Sequence, residues 1–128
     1  MSAMSDYLEL KILDHILGTT AYTAPSTVYV GLATASFNDD ASGSELSGNN
    51  YSRVAAAFDA AAGGTTDNTS AIEFAAATGS WGTVSHFGIF DAASGGNLLI
   101  HGAFSASKTI TTGDILRIGA GDLDITAA

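Results

Sequence analysis

Residues Trp81–Gly102 (WGTVSHFGIFDAASGGNLLIHG) constrain the fold more than any other segment, because they have the pattern of a β-hairpin. Thr83–Phe90 is rich in β-branched and aromatic residues, which favour a pleated, half-buried surface. Asp91–Asn97 consists of turn-forming residues, and Leu98–Gly102 is again largely apolar. The segment therefore predicts two antiparallel strands joined by a turn near Ser94.

The N-terminal segment has the pattern of one helix, from about residue 6 to residue 17. Ser5 is a suitable N-cap, and Gly18 is suited to end the helix because glycine readily adopts positive φ. An apolar stripe at the helical i, i+3, i+7 spacing consists of Leu10, Leu13 and Leu17. The helix either covers the open end of a sheet or docks on a neighbouring subunit. We expect residues 1–4, which precede it, to be frayed.

Shorter apolar or alternating segments predict the remaining strands. They are Thr27–Thr34, Tyr51–Asp59, Ala71–Ala75, Lys108–Thr111, Asp114–Ile118 and Asp122–Thr126. Polar, glycine-containing segments separate them, and residues 36–50 and 60–70 are predicted to be loops. Seven or eight short strands with one N-terminal helix predict a mainly β fold, either an antiparallel β-sandwich or a jelly-roll-like barrel. The length fits a single β-sandwich domain over residues 1–128.

The charge balance argues against two classes of partner. The chain carries 13 acidic and 4 basic residues, for a net charge of −9 at pH 7. Phosphate backbones and anionic lipid surfaces repel such a chain, so we expect no direct nucleic-acid binding and no membrane binding. Charged residues make up 13% of the chain, which favours a surface that is largely neutral or that a partner covers.

The cysteine content and the N-terminal pattern indicate in which cellular compartment the protein is expected. The chain has no cysteine, so it has neither a disulfide framework nor a cysteine-ligated metal site. Asp6, Glu9 and Lys11 interrupt the N-terminal apolar residues, which therefore predict neither a signal peptide nor a membrane span. We expect the protein to be made and kept in a cytosol unless assembly or lysis carries it out.

Two histidines of the hairpin are the first candidates for a chemical site. His86 and His101 lie at nearly equal distances from the turn, so they become direct cross-strand neighbours or a diagonal pair. A metal ion could bind both together with Asp91, although Asp91 belongs to the turn, several residues away along the strand. A structural or simply exposed role is favoured for both histidines. His15 lies on the helix and pairs with neither.

The 36–50 loop is the second candidate. Asp39, Asp40 and Glu45 suggest calcium, but their order does not match an EF-hand loop, and a solvated loop is favoured. Trp81 is either a core residue, which is favoured, or an interface anchor. No segment has the pattern of a nucleophile elbow or a phosphate loop. We therefore assign no catalytic, cofactor-binding or metal-binding residue and no cofactor.

Several segments together resemble a family of small tailed-bacteriophage virion proteins, often labelled tail fibre proteins in phage genomes. The segments are Tyr7–Thr34, Tyr51–Phe58, Trp81–Phe104 and the C-terminal GDLDIT. The resemblance runs over nearly the whole chain and is weakest in the 36–50 and 60–70 loops. Relatives of this family resemble the cement, or decoration, proteins on the heads of tailed phages.

The resemblance implies a structural protein and not an enzyme. The favoured hypothesis is a homotrimeric capsid cement protein that binds the exterior of the head and stabilises contacts between major capsid proteins, after assembly in the host cytoplasm. The alternative is a tail-fibre, tail-tip or baseplate component that contacts the host surface. A third hypothesis, from another class, is a small binding or hydrolytic β-sandwich whose activity depends on His86, His101 or an acid.

Overall fold

The computed structural model describes residues 2–127, and within them the chain is mainly β with one short helix. This confirms the predicted fold class. The elements, in chain order, are β1 (Ser2–Met4), α1 (Asp6–Ile16), β2 (Val28–Ala33), β3 (Val54–Ala56), β4 (Thr65–Asp67), β5 (Ile72–Glu73), β6 (Gly82–Phe90), β7 (Leu98–Ile110), β8 (Arg117–Ile118) and β9 (Asp124–Thr126).

The strands form one large antiparallel sheet and two small ones in an open, sandwich-like arrangement. The large sheet has the order β1-β7-β6-β2-β3, and the small sheets pair β4 with β9 and β5 with β8. The Ser2 hydroxyl donates to the Thr126 carbonyl at 3.0 Å and accepts from the Thr126 amide at 2.9 Å, so β1 is tied to β9. An antiparallel bridge between Phe58 and Asn68 ties the chain after β3 to the chain after β4. The β4–β9 sheet is therefore joined to both edges of the large one.

The predicted hairpin is the centre of the large sheet, as β6 and β7. Its turn is ordered by Asp91, whose carboxylate accepts hydrogen bonds from the Asn97 amide at 2.7 Å and the Asn97 side chain at 3.0 Å. The predicted separate strand Lys108–Thr111 is wrong, because β7 continues from Leu98 to Ile110. It does so across a large bulge, in which residues 104–107 lie opposite Ser85 alone.

The main core lies between the large sheet and the segments that carry β5, β8 and β9. Val30 and Leu32 of β2 are completely buried at its centre. Trp81 is also buried, and its indole N–H donates to the Asn49 carbonyl at 2.9 Å. The favoured core role of Trp81 is therefore confirmed. Because an indole N–H needs a partner when buried, this bond also fixes the end of the 36–50 segment.

Both faces of β2 are buried towards its end, from Val30 to Ala33. Phe37 from the 36–50 segment covers the second face beside Ala33, and it packs edge-on against Phe90 with 5.8 Å between ring centroids. The Leu46 amide donates to the Leu32 carbonyl at 2.9 Å. The 36–50 segment is therefore not simply an exposed loop. The sequence did not indicate this packing, because a single phenylalanine, Phe37, provides it within a polar segment.

Arg53 joins three separate parts of the chain. Its Nε and Nη2 donate to the two carboxylate oxygens of Glu45, each at 2.8 Å. Its Nη1 donates to the carbonyls of Ala92 and Gly95 in the hairpin turn, at 2.8 and 2.9 Å. The guanidinium also lies 3.5 Å from the centroid of the Phe90 ring. The side chain of Arg53 is almost fully buried, so these contacts replace its hydration.

Tyr51 extends this network into the core. Its hydroxyl donates to Glu45 Oε2 at 2.7 Å and accepts from the Leu32 amide at 2.9 Å. Burial, reinforced by the hydrogen bond to Glu45, raises the pKa of Tyr51 far above its usual value. Gly31 lies directly beneath, where an added Cβ would come within 2.7 Å of Glu45 Oε2. Glycine at residue 31 therefore leaves the space that the network occupies.

Two expectations about irregular segments are wrong. Residues 2–4 are not frayed, because Ser2–Met4 pairs with Gly102–Ile100 as the edge strand β1; Met1 lies outside the described residues. Residues 60–70 are not a continuous loop, because they contain β4. The tight turn before β4 requires positive φ at Gly63 and Gly64, and the β-branched threonines that follow pair with β9.

Two predicted strands are shorter in the structure. The segment Tyr51–Asp59 forms a strand only at Val54–Ala56, because the Tyr51 amide closes a turn with the Gly48 carbonyl. The segment Asp114–Ile118 forms a strand only at its last two residues. The other strand predictions are confirmed within a few residues at each end.

Replacing Arg53 by methionine should destabilise the fold strongly, because Glu45 would keep a largely buried carboxylate without its cation. We expect the free energy of unfolding to fall by about 3–5 kcal/mol, measured by urea unfolding. Arg117→Met is the matched control, since Arg117 forms only an exposed pair with Glu73 at 3.8 Å. The control should lose less than about 1 kcal/mol. Equal losses in both variants would contradict the central role of Arg53.

Candidate functional site

The helix α1 is held rigidly at its N-terminus. Ser5 is buried and acts as the predicted N-cap, with its hydroxyl accepting from the Leu8 amide at 3.2 Å and donating to the Leu98 carbonyl. The Ser5 amide donates to the Leu99 carbonyl at 2.8 Å. The helix ends one residue earlier than predicted, and Gly18 follows with the expected positive φ of 79°. These contacts fix α1 at the start of β7.

The helix has two apolar faces. The inner face contains the buried Leu8 and, four residues later, the half-buried Ile12, and α1 packs through it on β7 and β1. The other face points to solvent, and we call it the outer helix face. It consists of Leu10, Leu13, Ile16 and Leu17, which are 63, 55, 72 and 75% exposed. The predicted stripe is therefore helical but does not cover the sheet.

Acidic residues border the outer helix face. Asp6, Glu9 and Asp14 are all exposed, and helical spacing places Glu9 and Asp14 on either side of the leucines. The helix's one lysine, Lys11, lies elsewhere, with its Nζ 5.6 Å from the centroid of the Tyr7 ring. A contiguous exposed apolar patch with a charged border is typical of a protein contact surface.

A second surface lies at the other end of β7, where the bulge opens a cavity of about 270 Å³ that we call the basic cavity. Its lining is both apolar and polar, and it includes Lys108 and Arg117, which are two of the four bases in the chain. Asp122 also lines it. The apolar and small lining residues are Val84, Phe104, Ser105, Ala106, Leu116, Ile118 and Gly119.

The sequence did not predict the basic cavity. Its residues come from β6, β7 and the β8 segment, and the bases looked scattered along the chain. The bulge at residues 104–107 shifts this stretch of β7 out of register with β6, and it brings the lining residues of the cavity together. A larger and shallower groove of about 670 Å³ follows the alanine-rich side of β3, from Pro25 to Ile72, and its lining residues carry no ionisable side chain.

The hairpin histidines occupy diagonal positions and do not form a shared site. His86 lies opposite Ala103 and His101 lies opposite Gly88, which is one of the two predicted arrangements. His101 Nε2 hydrogen-bonds Asp39 Oδ1 at 2.8 Å, whereas His86 Nδ1 lies 2.7 Å from the Ser85 hydroxyl. Each imidazole thus has its own partner. His15 pairs with neither, because its Nδ1 accepts from the Tyr22 amide at 3.1 Å.

The acidic residues of the 36–50 segment also have separate partners. Asp39 binds His101, Glu45 binds Arg53, and Asp40 accepts from the amide and hydroxyl of Ser42 at 2.9 and 2.6 Å. The hydrogen bonds from Ser42 lower the pKa of Asp40. Among residues 2–127, no group of three or more histidine, aspartate or glutamate side chains is arranged to hold a metal ion.

A cluster of acids that the sequence did not predict lies on the β4–β9 sheet. Asp67 is opposite Asp124 in the register, and Asp59 belongs to the chain that bridges to β4. Partial desolvation, together with repulsion by Asp59 and Asp124, raises the pKa of Asp67. The sequence did not indicate this acidic cluster, because residues 60–70, which contain β4, were predicted to be a loop. The ionised form of Asp67 is therefore less favourable in the folded chain than in the unfolded one.

Residues 2–127 form a small antiparallel β protein in which Arg53 pairs with Glu45 and His101 pairs with Asp39. The sequence profile of the family described as Podophage GP4 fiber I protein gp80 matches residues 3–126. The chain belongs to this family, and it is a bacteriophage structural virion protein. No curated protein matches the chain at a significant level. Within residues 2–127, no helix is both long and apolar enough to cross a membrane.

The opposite pKa shifts of two aspartates give a paired prediction. Asp67→Asn should raise the melting temperature near pH 7, because the raised pKa in the fold means that the ionised form is disfavoured there. The gain should shrink as the pH falls through the folded-state pKa and disappear below the unfolded-state pKa of 3.8, where Asp67 is protonated in both states.

Asp114→Asn is the matched control and should have the opposite sign. The Thr111 amide and hydroxyl donate to its carboxylate at 2.9 and 3.0 Å and lower the pKa of Asp114. Its stabilising effect is present above pH 3.8 and is lost as the pH falls through the folded-state pKa. Melting curves over a pH series measure both variants, and a rise for Asp114→Asn near pH 7 would refute the assignment.

Proposed function

We propose that the chain is a non-enzymatic structural subunit of a phage fibre. The observation that carries this proposal is the match of residues 3–126 to a family described as a fibre protein. A match of this extent includes the helix, the hairpin and every strand from β2 to β9. The proposal therefore rests on a match over the whole fold and not on an isolated motif.

The disposition of polar side chains supports a structural role. His101 and Asp39 bind each other, and Arg53 and Glu45 bind each other, so the groups best suited to acid–base chemistry are used to hold segments together. The third hypothesis, an activity based on His86 and His101, has no support from this geometry. The outer helix face gives the chain an attachment surface instead.

A second candidate is decoration of the head, as a homotrimeric cement protein that binds the major capsid protein on the capsid exterior. One observation favours it: the β4–β9 sheet is tied to both edges of the large sheet, which makes a block suited to cover a joint between capsid subunits. The attachment surface would be the same in both cases. The two candidates differ in the position and number of copies on the particle.

Gold-labelled antibodies against the chain, applied to purified virions, separate the candidates. The fibre proposal predicts label confined to fibres, and a copy number far below that of the major capsid protein on a stained gel. Label spread over the whole head, with many copies, would support decoration instead. An antibody against the major capsid protein is the positional control. Absence of the chain from purified particles would overturn both.

A further inference from the structure

A further cavity, which we call the apolar cavity, lies between the large sheet and the β4–β9 sheet. It has a volume of about 220 Å³, and four of its lining side chains are buried, namely Leu8, Ile89, Leu99 and Ile125. They come from α1, β6, β7 and β9 in turn. We propose that the apolar cavity binds a small uncharged hydrocarbon group, such as one aromatic ring with a short alkyl substituent. This ligand site goes beyond the proposed function and does not depend on it.

A one-residue bulge near the start of β7 shapes the apolar cavity. Ile89 of β6 lies opposite Ile100, whereas the next residue, Phe90, lies opposite Leu98, so Leu99 has no partner on β6. Consecutive residues of a regular strand point to opposite faces of the sheet, and a bulge interrupts that alternation. Leu99 and Ile100 accordingly both line the cavity.

The lining of the apolar cavity selects against charged and polar ligands. Its lining residues carry no ionisable side chain, and the surface that they expose inside it is apolar. Thr66 is the one lining residue with a polar side chain, and its hydroxyl donates to the Asp59 carbonyl. A charged ligand would lose its hydration here without gaining a partner, whereas a hydrocarbon is stabilised by leaving water. The chemistry of the walls therefore specifies an uncharged apolar group.

Hydrogen bonds hold the walls of the apolar cavity in place. The Ser5 amide donates to the Leu99 carbonyl at 2.8 Å, which attaches the start of α1 to β7. The paired bonds between Ser2 and Thr126, at 3.0 and 2.9 Å, attach β9 to β1 at the edge of the large sheet. The helix and β9 cannot move towards the large sheet without disturbing these bonds, so the space stays open. Its walls lack the packing contacts that a ligand would supply.

The size and the mouth of the apolar cavity suit a small ligand. The other four lining residues, Val28, Phe58, Thr66 and Ile100, are half-buried, so the cavity reaches the surface beside them and a ligand can enter the folded chain. An apolar cavity of about 150 Å³ is large enough to bind benzene. A volume of about 220 Å³ therefore has room for one ring with a few additional carbon atoms.

Titration of the isotope-labelled full chain with toluene, followed by methyl NMR, tests the proposal. We expect saturable shifts, and nuclear Overhauser contacts from the toluene protons to the methyl groups of Leu8, Ile89, Leu99 and Ile125. Benzoate is the matched control ligand, because it has the same ring and carries a charge. It should bind more than about tenfold more weakly, since the cavity offers no partner for a carboxylate.

A pair of phenylalanine variants locates the binding independently. Val28→Phe places a larger side chain in the wall of the apolar cavity and should weaken toluene binding more than about tenfold. Val54→Phe is the matched control, because Val54 is also half-buried, lies on the neighbouring strand β3 and does not line the cavity. The control should bind toluene as the wild-type chain does. Circular dichroism checks that both variants are folded.

Four results would each overturn the proposal. They are shifts that do not saturate, toluene contacts confined to other methyl groups such as those of the outer helix face, equal binding of toluene and benzoate, and wild-type affinity in a folded Val28→Phe chain. If Val28→Phe does not fold, the methyl contacts and the comparison with benzoate decide the proposal with the unchanged chain. None of these results bears on where the chain sits on the virion, which the antibody labelling decides.

Discussion

One buried guanidinium holds together the end of the sheet where the loops converge. Arg53 offers a planar fork that binds the Glu45 carboxylate with two donors while the remaining nitrogen reaches two carbonyls of the hairpin turn. A lysine could not satisfy all four acceptors from one position. Through this contact the polar 36–50 segment becomes a packed layer over β2, and the hairpin turn is held at both ends.

That network also explains the surface of the molecule. Arg53 is one of four bases, and its burial leaves the exterior strongly acidic apart from the basic cavity and Lys11. An acidic exterior keeps copies apart unless they meet at a matching patch. Burial of one base in a chain that has only four therefore strengthens the negative field that a neighbouring molecule meets.

The sequence predicted local features well and long-range ones poorly. The hairpin and the N-cap Ser5 follow from neighbouring residues. The turn predicts that His86 and His101 are close across the hairpin, but it leaves direct and diagonal pairing open, and the structure has the diagonal one. The partner of His101 could not be predicted, because Asp39 is 62 residues away. The helical period predicted α1 but not its orientation, since Leu8 and Ile12 form a second apolar face. The basic cavity depends on a bulge in β7, and no pattern in the sequence indicates the size or the position of that bulge.

The contact between Ser2 and Thr126 brings the two ends of the described chain side by side. A polypeptide whose ends meet can be carried inside a loop of another protein without stretching either partner. It can also be cut at a surface turn and rejoined at its ends, because the new connection spans a short gap. Short connections at residues 2 and 126 would therefore leave the large sheet and the outer helix face undisturbed.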